Sequence, residues 1–215
     1  TASHDTASAV AAVPAMDDGQ PWIFISSGTW SLVGTELPSP VLTPSALQAN
    51  VTNEAGVMNT TRLLKNVTGL WLFQGIIQAL ARENINTSYE NLITAARASG
   101  PFRCFINPND PRFHNPQNML AAITDYCRET RQTPPQAPSE FVRCIFESLA
   151  FSYAQIIHTI RELTGISYKR IHIIGGGARN VLLNQFTANA CAMEVHTGPD
   201  EATATGNGII QAMQD

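Results

Sequence analysis

The sequence predicts an α/β domain in which a parallel sheet is covered by helices on both faces. Three observations lead to this class. The last third of the chain alternates strand, helix, strand and helix, an order that produces parallel strands. Apolar residues make up 44% of the 215 residues, which is enough for a sizeable buried core. Charged residues make up only 14%, below the usual ~25%, which argues against a disordered chain or a charged coil.

The first elements are a short helix and a buried strand. Residues 7–12 are rich in alanine and predict a helix, with Asp5 at its amino-terminal end. Residues 22–26 are apolar and β-prone, and the strand that they predict ends at Gly28 and Thr29. Because glycine allows a sharp turn and loops at strand ends often contact ligands, this turn is a candidate binding element.

Prolines separate the elements of the middle region. A proline-containing loop over 37–44 leads into a short helix, for which Thr43 or Ser45 is a candidate cap. Residues 102–106 predict an edge strand. The prolines at 133–138 form a rigid connector within one lobe rather than a boundary between two domains, because neither side of it looks complete alone.

Apolar residues at helical spacing predict four helices in this region. They occupy residues 66–81, 89–97, 115–129 and 139–164. Asn115 and Ser139 are expected to cap the last two of these helices, and Gly165 is expected to end the longest one. The remaining predicted elements are strands at 170–174 and 193–197 and helices at 181–191 and 201–213.

Charge and hydropathy exclude two classes of partner. The formal net charge is −4, and the 13 basic residues lie singly or in pairs, so there is no basic stripe for a nucleic-acid backbone. No apolar run reaches the ~20 residues of a membrane span. We therefore expect neither a nucleic-acid partner nor a membrane partner.

The cysteines favour reduced thiols in a cytoplasmic protein. Cys104, Cys127, Cys144 and Cys191 lie far apart, with no CxxC pair and no histidine at zinc-ligand spacing. Cys127 and Cys144 are the exception, because their helices are joined by a short connection that could bring them to bonding distance. Since the chain opens at Thr1 without a methionine, we also expect it to be part of a longer protein.

The most specific local motif is the run of three glycines at Gly175, Gly176 and Gly177, between a buried strand and a helix. Three missing Cβ atoms at the carboxyl end of a strand let a flat ligand approach the backbone, and the following helix amino terminus favours an anion. A tight turn without a ligand is the alternative. The spacing is not GxGxxG and no acidic residue ends a following strand, so a Rossmann site fits poorly.

Three other motifs are weaker. The turn at 26–29 has the composition of a small phosphate cradle but also of many ordinary turns. Asp5 at a helix amino terminus could accept a proton from a sugar hydroxyl or simply cap the helix. Gly206 and Gly208 favour close packing of the last helix on the sheet more than they favour binding.

Taken in order, several short motifs resemble the carboxyl-terminal lobe of the FGGY carbohydrate kinase family. These motifs lie at residues 4–10, 26–32, 53–56, 64–66, 69–72, 106–110, 175–177 and 201–207. Trp30 after the Ser-Gly-Thr turn and His4 before Asp5 point to the branch of the family that acts on L-rhamnulose. The resemblance covers nearly the whole chain.

The resemblance implies a ribonuclease H-like lobe, as in actin and hexokinase, with a mixed sheet flanked by helices. Residues 1–215 would form one carboxyl-terminal lobe on the nucleotide-binding side, which closes with an amino-terminal lobe over ATP, Mg²⁺ and the sugar. The implied catalytic base is Asp5. The implied sugar contacts are His4, Asp5, Thr6 and Asn66, and the implied nucleotide contacts are Thr29, Gln74, Gly175, Gly176, Gly177 and Asn180. No residue of this chain is assigned to the metal.

The implied activity is transfer of phosphate from ATP to the 1-hydroxyl of L-rhamnulose. Because phosphoryl transfer needs both walls of the active site, the chain alone is expected to lack turnover. Two alternatives remain open. One is a kinase of the same family for another ketose such as L-fuculose or L-xylulose, and the other is a non-catalytic, actin-like nucleotide-binding lobe.

Overall fold

The computed structural model describes residues 5–14, 19–85 and 87–212. Within this part of the chain the strands form one sheet in the order β3-β4-β2-β1-β5-β6. The strands are β1 Trp22–Ser27, β2 Trp30–Leu37, β3 Thr52–Ala55, β4 Thr61–Thr68, β5 Arg170–Ile174 and β6 Glu194–Thr197. The helices are α1 Asp5–Ala11, α2 Pro44–Gln48, α3 Trp71–Arg82, α4 Tyr89–Ala98, α5 Met119–Glu129, α6 Pro138–Thr164, α7 Val181–Cys191 and α8 Ala202–Ala212.

The sheet is mixed, as the resemblance implied, and not wholly parallel, as the order of the last elements suggested. Strand β1 pairs in parallel with β5, and β5 pairs in parallel with β6. The other half, made of β1, β2, β4 and β3, is antiparallel. The parallel part is the part that the alternating carboxyl-terminal pattern predicted.

Helices cover both faces of the sheet, but unequally. Helices α3 to α7 bury a large continuous core against one face, with α6 at its centre. Helices α1 and α8 form a much smaller cluster on the opposite face, where Val10 and Ala202 pack against Phe24, Leu64 and Ile174. We call these the large face and the small face.

The predicted helix over 66–81 is wrong at its start. Residues 66–68 continue strand β4, which pairs with β2 from Trp30–Thr68 to Leu37–Thr61. Helix α3 begins only at Trp71, because the preceding residues are bonded to the β1–β2 turn. Strands β2, β3 and β4 were not predicted, since their apolar residues are interrupted by polar ones whose partners lie elsewhere in the chain.

The predicted edge strand over 102–106 is also absent from the structure. Phe102 has a φ of +57°, which breaks an extended conformation. The backbone N–H groups of Phe105 and Ile106 donate to the side chains of Gln132 (2.7 Å) and Ser148 (3.0 Å) rather than to a neighbouring strand. The segment is therefore a loop held by side chains of the α5–α6 region.

Two predicted helix caps are displaced. Helix α5 is capped by Asn118, whose Oδ1 accepts from the N–H of Leu120 at 2.9 Å, and not by Asn115. Helix α6 begins at Pro138, and Glu140 accepts from the N–H of Gln136 at 2.7 Å. Ser139 instead hydrogen-bonds to the hydroxyl of Ser99 at 3.0 Å. The caps at Thr43 and the end at Gly165, with a φ of +69°, are confirmed.

The four cysteines are free thiols, and Cys191 is the only half-buried one among them. Cys127 and Cys144 lie together in the core, as their predicted helices suggested, and Cys104 joins them. Hydrogen bonds to Cys104 and Cys127, together with burial, raise the pKa of the Cys144 thiol well above its ordinary value. In the described part of the chain, no helix is long and apolar enough to cross a membrane.

Candidate functional site

A cleft of about 710 Å³ opens on the large face, at the end of the sheet where β1 and β5 finish. Three segments line it: the β1–β2 turn, the start of α3 with α4, and the glycine turn that leads into α7. Thr29, Gln74, Gly176 and Gly177 are among its lining residues, so four of the predicted nucleotide contacts share one cleft. This is the edge at which open α/β sheets bind ligands.

The first wall of the cleft is the β1–β2 turn with the beginning of α3. The carbonyl of Gly28 accepts from the N–H of Leu70 at 2.9 Å, and the carbonyl of Thr29 accepts from the N–H of Trp71 at 3.1 Å. These bonds hold the start of α3 against the turn. Thr29 and Gln74 consequently present exposed polar side chains on the same wall.

The second wall is the glycine turn, in which the three glycines have different tasks. Gly175 has a φ of +82°, and a Cβ there would lie 2.9 Å from the carbonyl oxygen of Ser27. A Cβ on Gly177 would collide with the side chain of Ser27. A Cβ on Gly176 would meet nothing within 4 Å. Gly175 and Gly177 are therefore needed for packing, whereas Gly176 leaves open space in the cleft.

Asn180 lies beneath the cleft and is fully buried, at 0% exposure. Its Oδ1 accepts from the N–H of Leu183 at 3.1 Å and so caps helix α7. Its Nδ2 donates to the phenol oxygen of Tyr89 at 3.2 Å. The structure thus places this predicted nucleotide contact behind Tyr89, and the cap uses one of the N–H groups that an anion at this helix amino terminus would need.

Tyr89 and Val181 are cleft residues that the sequence did not single out. Tyr89 is the first residue of α4, and Val181 is the first residue of α7 and is 65% exposed. An apolar residue at the first position of a helix next to a glycine turn is the one signal that could have identified Val181. Nothing in the local sequence distinguishes Tyr89.

The candidate base Asp5 lies at the same edge of the sheet, but on the small face. It is exposed in the first turn of α1, and its carbonyl accepts from the hydroxyl of Thr203 at 3.4 Å. The loop before α8 also contacts the glycine turn, since the carbonyl of Pro199 accepts from the N–H of Gly175 at 3.0 Å. The β6–α8 loop contacts the glycine turn and the first turn of α8 contacts the beginning of α1, so this segment connects the two.

The other predicted sugar contacts are placed less uniformly. Thr6 is buried, at 8% exposure, and His4 lies outside the described residues. Asn66 is exposed on strand β4, where it pairs with Leu32, the third residue of β2. The predicted helix over 66–81 would carry both Asn66 and Gln74, whereas the structure has Asn66 on strand β4 and Gln74 on α3.

Alternation along β4 shows which face carries Asn66. Leu64, two residues earlier, belongs to the cluster under α1 and α8, so Asn66 points to the same small face. Gln74 lies on α3, on the large face. The structure thus places Asn66 and Asp5 on the opposite face of the sheet from Gln74 and the cleft.

Two further motifs of the resemblance have structural tasks. The side chain of Asn53 hydrogen-bonds to both the N–H (2.9 Å) and the carbonyl (3.0 Å) of Val41, which fixes the loop before α2. Asn109 accepts from the N–H of Thr68 at 2.9 Å and so secures the end of β4. Neither Asn53 nor Asn109 is among the residues that line the cleft.

The fold and the cleft define an α/β lobe of the actin and hexokinase-like ATPase type. The xylulose kinase from Rhodospirillum rubrum superposes with a TM-score of 0.71 over 98% of this chain and 41% of that protein, at 12% identity. The glycerol kinase from Plasmodium falciparum, solved with ADP, superposes with a TM-score of 0.62 over 96% of this chain and 40% of that protein, at 14% identity. Identities this low establish the fold alone.

Sequence similarity gives the family. Residues 23–214 match the FGGY family of carbohydrate kinases, C-terminal domain, and the chain belongs to this family. It is 52% identical over 99% of its length to a rhamnulokinase from Bacteroides thetaiotaomicron and 48% identical over 98% to one from Bacillus subtilis. It spans 42% of the length of each of these relatives. The family resemblance drawn from the short motifs is thereby confirmed.

Proposed function

We propose that this chain is the carboxyl-terminal lobe of an ATP-dependent kinase that phosphorylates L-rhamnulose at its 1-hydroxyl, releasing ADP and L-rhamnulose 1-phosphate. The observation that carries the proposal is the 52% identity to a rhamnulokinase over 99% of the chain. The arrangement of the described residues supports it, because an open cleft and an exposed carboxylate lie at one edge of the sheet.

The nucleotide is proposed to occupy the cleft on the large face. Gly176 leaves space for a flat ring close to the backbone, and Thr29 and Gln74 provide polar groups on the opposite wall. We assign Thr29 to the phosphates and Gln74 and the glycine turn to the nucleoside. In this arrangement the apolar side chains of Ile93 and Val181 shield the base from water.

The sugar is proposed to bind on the small face, between this lobe and an amino-terminal lobe. Asp5 is exposed and accepts the proton of the 1-hydroxyl as that oxygen attacks the terminal phosphorus of ATP. The bond to the bridging oxygen breaks, and ADP leaves with its electron pair. Asn66, on the same face, orients the sugar, and so do His4 and Thr6, which flank Asp5 in the sequence. Positioning of this kind contributes much of the rate in phosphoryl transfer.

Mg²⁺ is proposed to accompany ATP and, when bound, to neutralise phosphate charge. Among the residues that the structure describes, no group of three His, Cys, Asp or Glu side chains is arranged to hold a metal ion. We therefore propose that the phosphates and an acidic residue of the amino-terminal lobe hold the metal. A cytoplasmic location is part of the same proposal, because the substrate sugar and ATP occur there.

The decisive experiment joins this chain to the amino-terminal lobe of the Bacteroides thetaiotaomicron relative, which gives what we call the two-lobed protein. ADP release is measured with Mg·ATP and each of L-rhamnulose, L-fuculose, L-xylulose and glycerol, with the single chain as control. We expect release with L-rhamnulose from the two-lobed protein only. Preference for another ketose would replace the substrate, and ATP binding without any release would favour a non-catalytic nucleotide-binding lobe.

A further inference from the structure

We infer that Tyr89 donates a hydrogen bond to the nucleoside part of the bound nucleotide, and that Asn180 is a positioning residue that directs the Tyr89 proton into the cleft. The inference rests on the proposed function and deepens it. It also changes the role predicted for Asn180, which acts through Tyr89 and does not itself touch the nucleotide.

The helix cap determines the orientation of the Asn180 side chain. The N–H of Leu183 can only donate, so the atom of Asn180 that lies 3.1 Å from it is the amide oxygen. The amide nitrogen is then the atom that lies 3.2 Å from the Tyr89 oxygen. Because an amide nitrogen only donates, the phenol oxygen is the acceptor in this contact.

A phenol that accepts from Asn180 keeps its own proton for another partner. Within the described part of the chain, Asn180 is the one hydrogen-bond partner of the Tyr89 hydroxyl. Burial raises the pKa of Tyr89 above its ordinary value of 10, so the proton is retained at neutral pH. The hydroxyl is thus a neutral donor in the wall of the cleft.

The position of the Tyr89 ring is constrained by its neighbours. Its centroid lies 4.9 Å from that of Phe73, which is 1% exposed and therefore fixed in the core. Tyr89 itself is 36% exposed and lines the cleft together with Ile93 and Val181. Apolar neighbours suit a flat base and its ribose better than phosphate groups, and a nucleoside offers ring nitrogens and hydroxyl oxygens as acceptors.

Tyr89→Phe and Asn180→Asp, made in the two-lobed protein, test the two residues separately. Tyr89→Phe removes the proton and keeps the ring. Asn180→Asp keeps the cap, because Asp and Asn are comparable helix caps, but its carboxylate accepts from the phenol and draws the proton away from the cleft. We expect each variant to raise the Kd for ATP about 2- to 13-fold, the range for one lost hydrogen bond.

The double variant distinguishes positioning from a merely structural role. If Asn180 acts through Tyr89, Asn180→Asp adds no further loss of ATP affinity in the Tyr89→Phe background. Tyr126→Phe is the matched control, since Tyr126, on α5, packs against Phe113 and does not line the cleft. Asn180→Ser, which also caps a helix but lacks the amide donor, serves as the second variant if Asn180→Asp lowers the melting temperature.

Each outcome supports or overturns a defined part of the inference. A wild-type Kd for ATP in Tyr89→Phe overturns the donor role of Tyr89. The positioning role of Asn180 is overturned if Asn180→Asp, or Asn180→Ser, lowers ATP affinity equally in the unsubstituted and the Tyr89→Phe backgrounds. Failure of the unsubstituted two-lobed protein to bind ATP overturns the proposed function together with the inference. This outcome differs from the two others, in which the unsubstituted protein binds ATP and only the effects of the variants are at issue.

Discussion

The two faces of the sheet are built very differently. On the large face, helices α3 to α7 bury long apolar side chains around α6, and the cleft opens beside α3, α4 and the glycine turn. On the small face, α1 and α8 are short helices of small residues that pack on part of the sheet. Asn66, on the same small face, remains exposed on β4.

This difference separates the proposed tasks of the lobe. In the proposal, binding of the nucleotide depends on the large face, which has the extensive core and the cleft. Deprotonation of the sugar is proposed to depend on Asp5, and the close contact of α1 with α8 holds the helix that carries this residue. We therefore expect substitutions on one face to leave the task of the other face largely unchanged.

The largest effect is expected for Asp5→Asn in the two-lobed protein. Loss of a positioned general base lowers kcat by about 10²- to 10⁴-fold. Because Asp5 lies on the small face, the Kd for ATP should not change. The measurements are the rate of ADP release with L-rhamnulose and calorimetric titration with ATP. Retained turnover would show that Asp5 is not the base, and a weakened ATP affinity would show that the two faces are coupled.

Gly206→Ala tests the contact that positions α1. A Cβ at this position would collide with the carbonyl of Ser8, so we expect a loss of about 1–3 kcal/mol in the free energy of unfolding. Gly208→Ala, in the same helix, meets nothing within 4 Å and should be neutral or stabilising by up to about 1 kcal/mol.

Thermal denaturation of the two α8 variants compares their stabilities, and the rate of ADP release shows whether α1 has moved. A Gly206→Ala protein as stable as the Gly208→Ala protein would mean that α1 and α8 adapt without cost. Loss of ATP binding in Gly206→Ala would contradict the independence of the faces.

Gly176→Val tests the large face. Its side chain would enter the open cleft, and we expect ATP affinity to fall about tenfold or more, which is about 1.4 kcal/mol, with the melting temperature unchanged. Gly177→Ala is the contrasting variant, because its Cβ would collide with Ser27 and should lower the melting temperature. Unchanged ATP affinity in Gly176→Val would place the nucleotide elsewhere.

The smallest effect is expected at the antiparallel edge of the sheet. Burial raises the pKa of Glu36 above its ordinary value of 4.5, against the opposing effects of the Thr60 hydrogen bond and of Arg62. The folded state therefore binds a proton more readily than the unfolded state, and this stabilisation is present below pH 4.5 and lost as the pH rises through the raised pKa.

Glu36→Gln removes this titration. It keeps an amide oxygen that can accept from the Thr60 hydroxyl, as Oε1 of Glu36 does at 2.9 Å in the structure. We expect the variant to be slightly more stable than the unsubstituted protein at pH 7 and equally stable below pH 4.5. Urea denaturation at a series of pH values measures the difference. A variant that is less stable at pH 7 would show that the attraction between Glu36 and Arg62 outweighs the cost of burial.

Much of the parallel half of the fold could be predicted because its signals are local. The isoleucine-rich run before the glycines predicted β5, and periodic apolar residues predicted α4, α6 and α7. The glycine turn was also predicted to be a binding element, and it lines the cleft, with Gly176 the one of the three glycines at which a Cβ would meet nothing within 4 Å. Here each element is identified by residues within a few positions of one another.

The antiparallel half could not be predicted in the same way. In β4, Leu63 and Leu64 face opposite sides of the sheet, and each is buried by a different layer of the molecule. The predicted helix over 66–81 rests on Leu70, Phe73, Ile77 and Leu80, which do recur at helical spacing, but its predicted start lies within β4. Asn66 was placed on a helix for this reason, and its exposed position on the small face follows only from its pairing with β2.

The sequence by itself determined the α/β class, the family and the short motifs that carry the proposed site, because these depend on local composition and order. Only the tertiary structure decided which glycine is open, that Asn180 is buried behind Tyr89, and that Asp5 and the cleft lie on opposite faces of one edge. These placements depend on contacts between residues that are distant in the sequence, such as Asn180 with Tyr89 and Thr203 with Asp5. A local sequence pattern contains no information about such contacts.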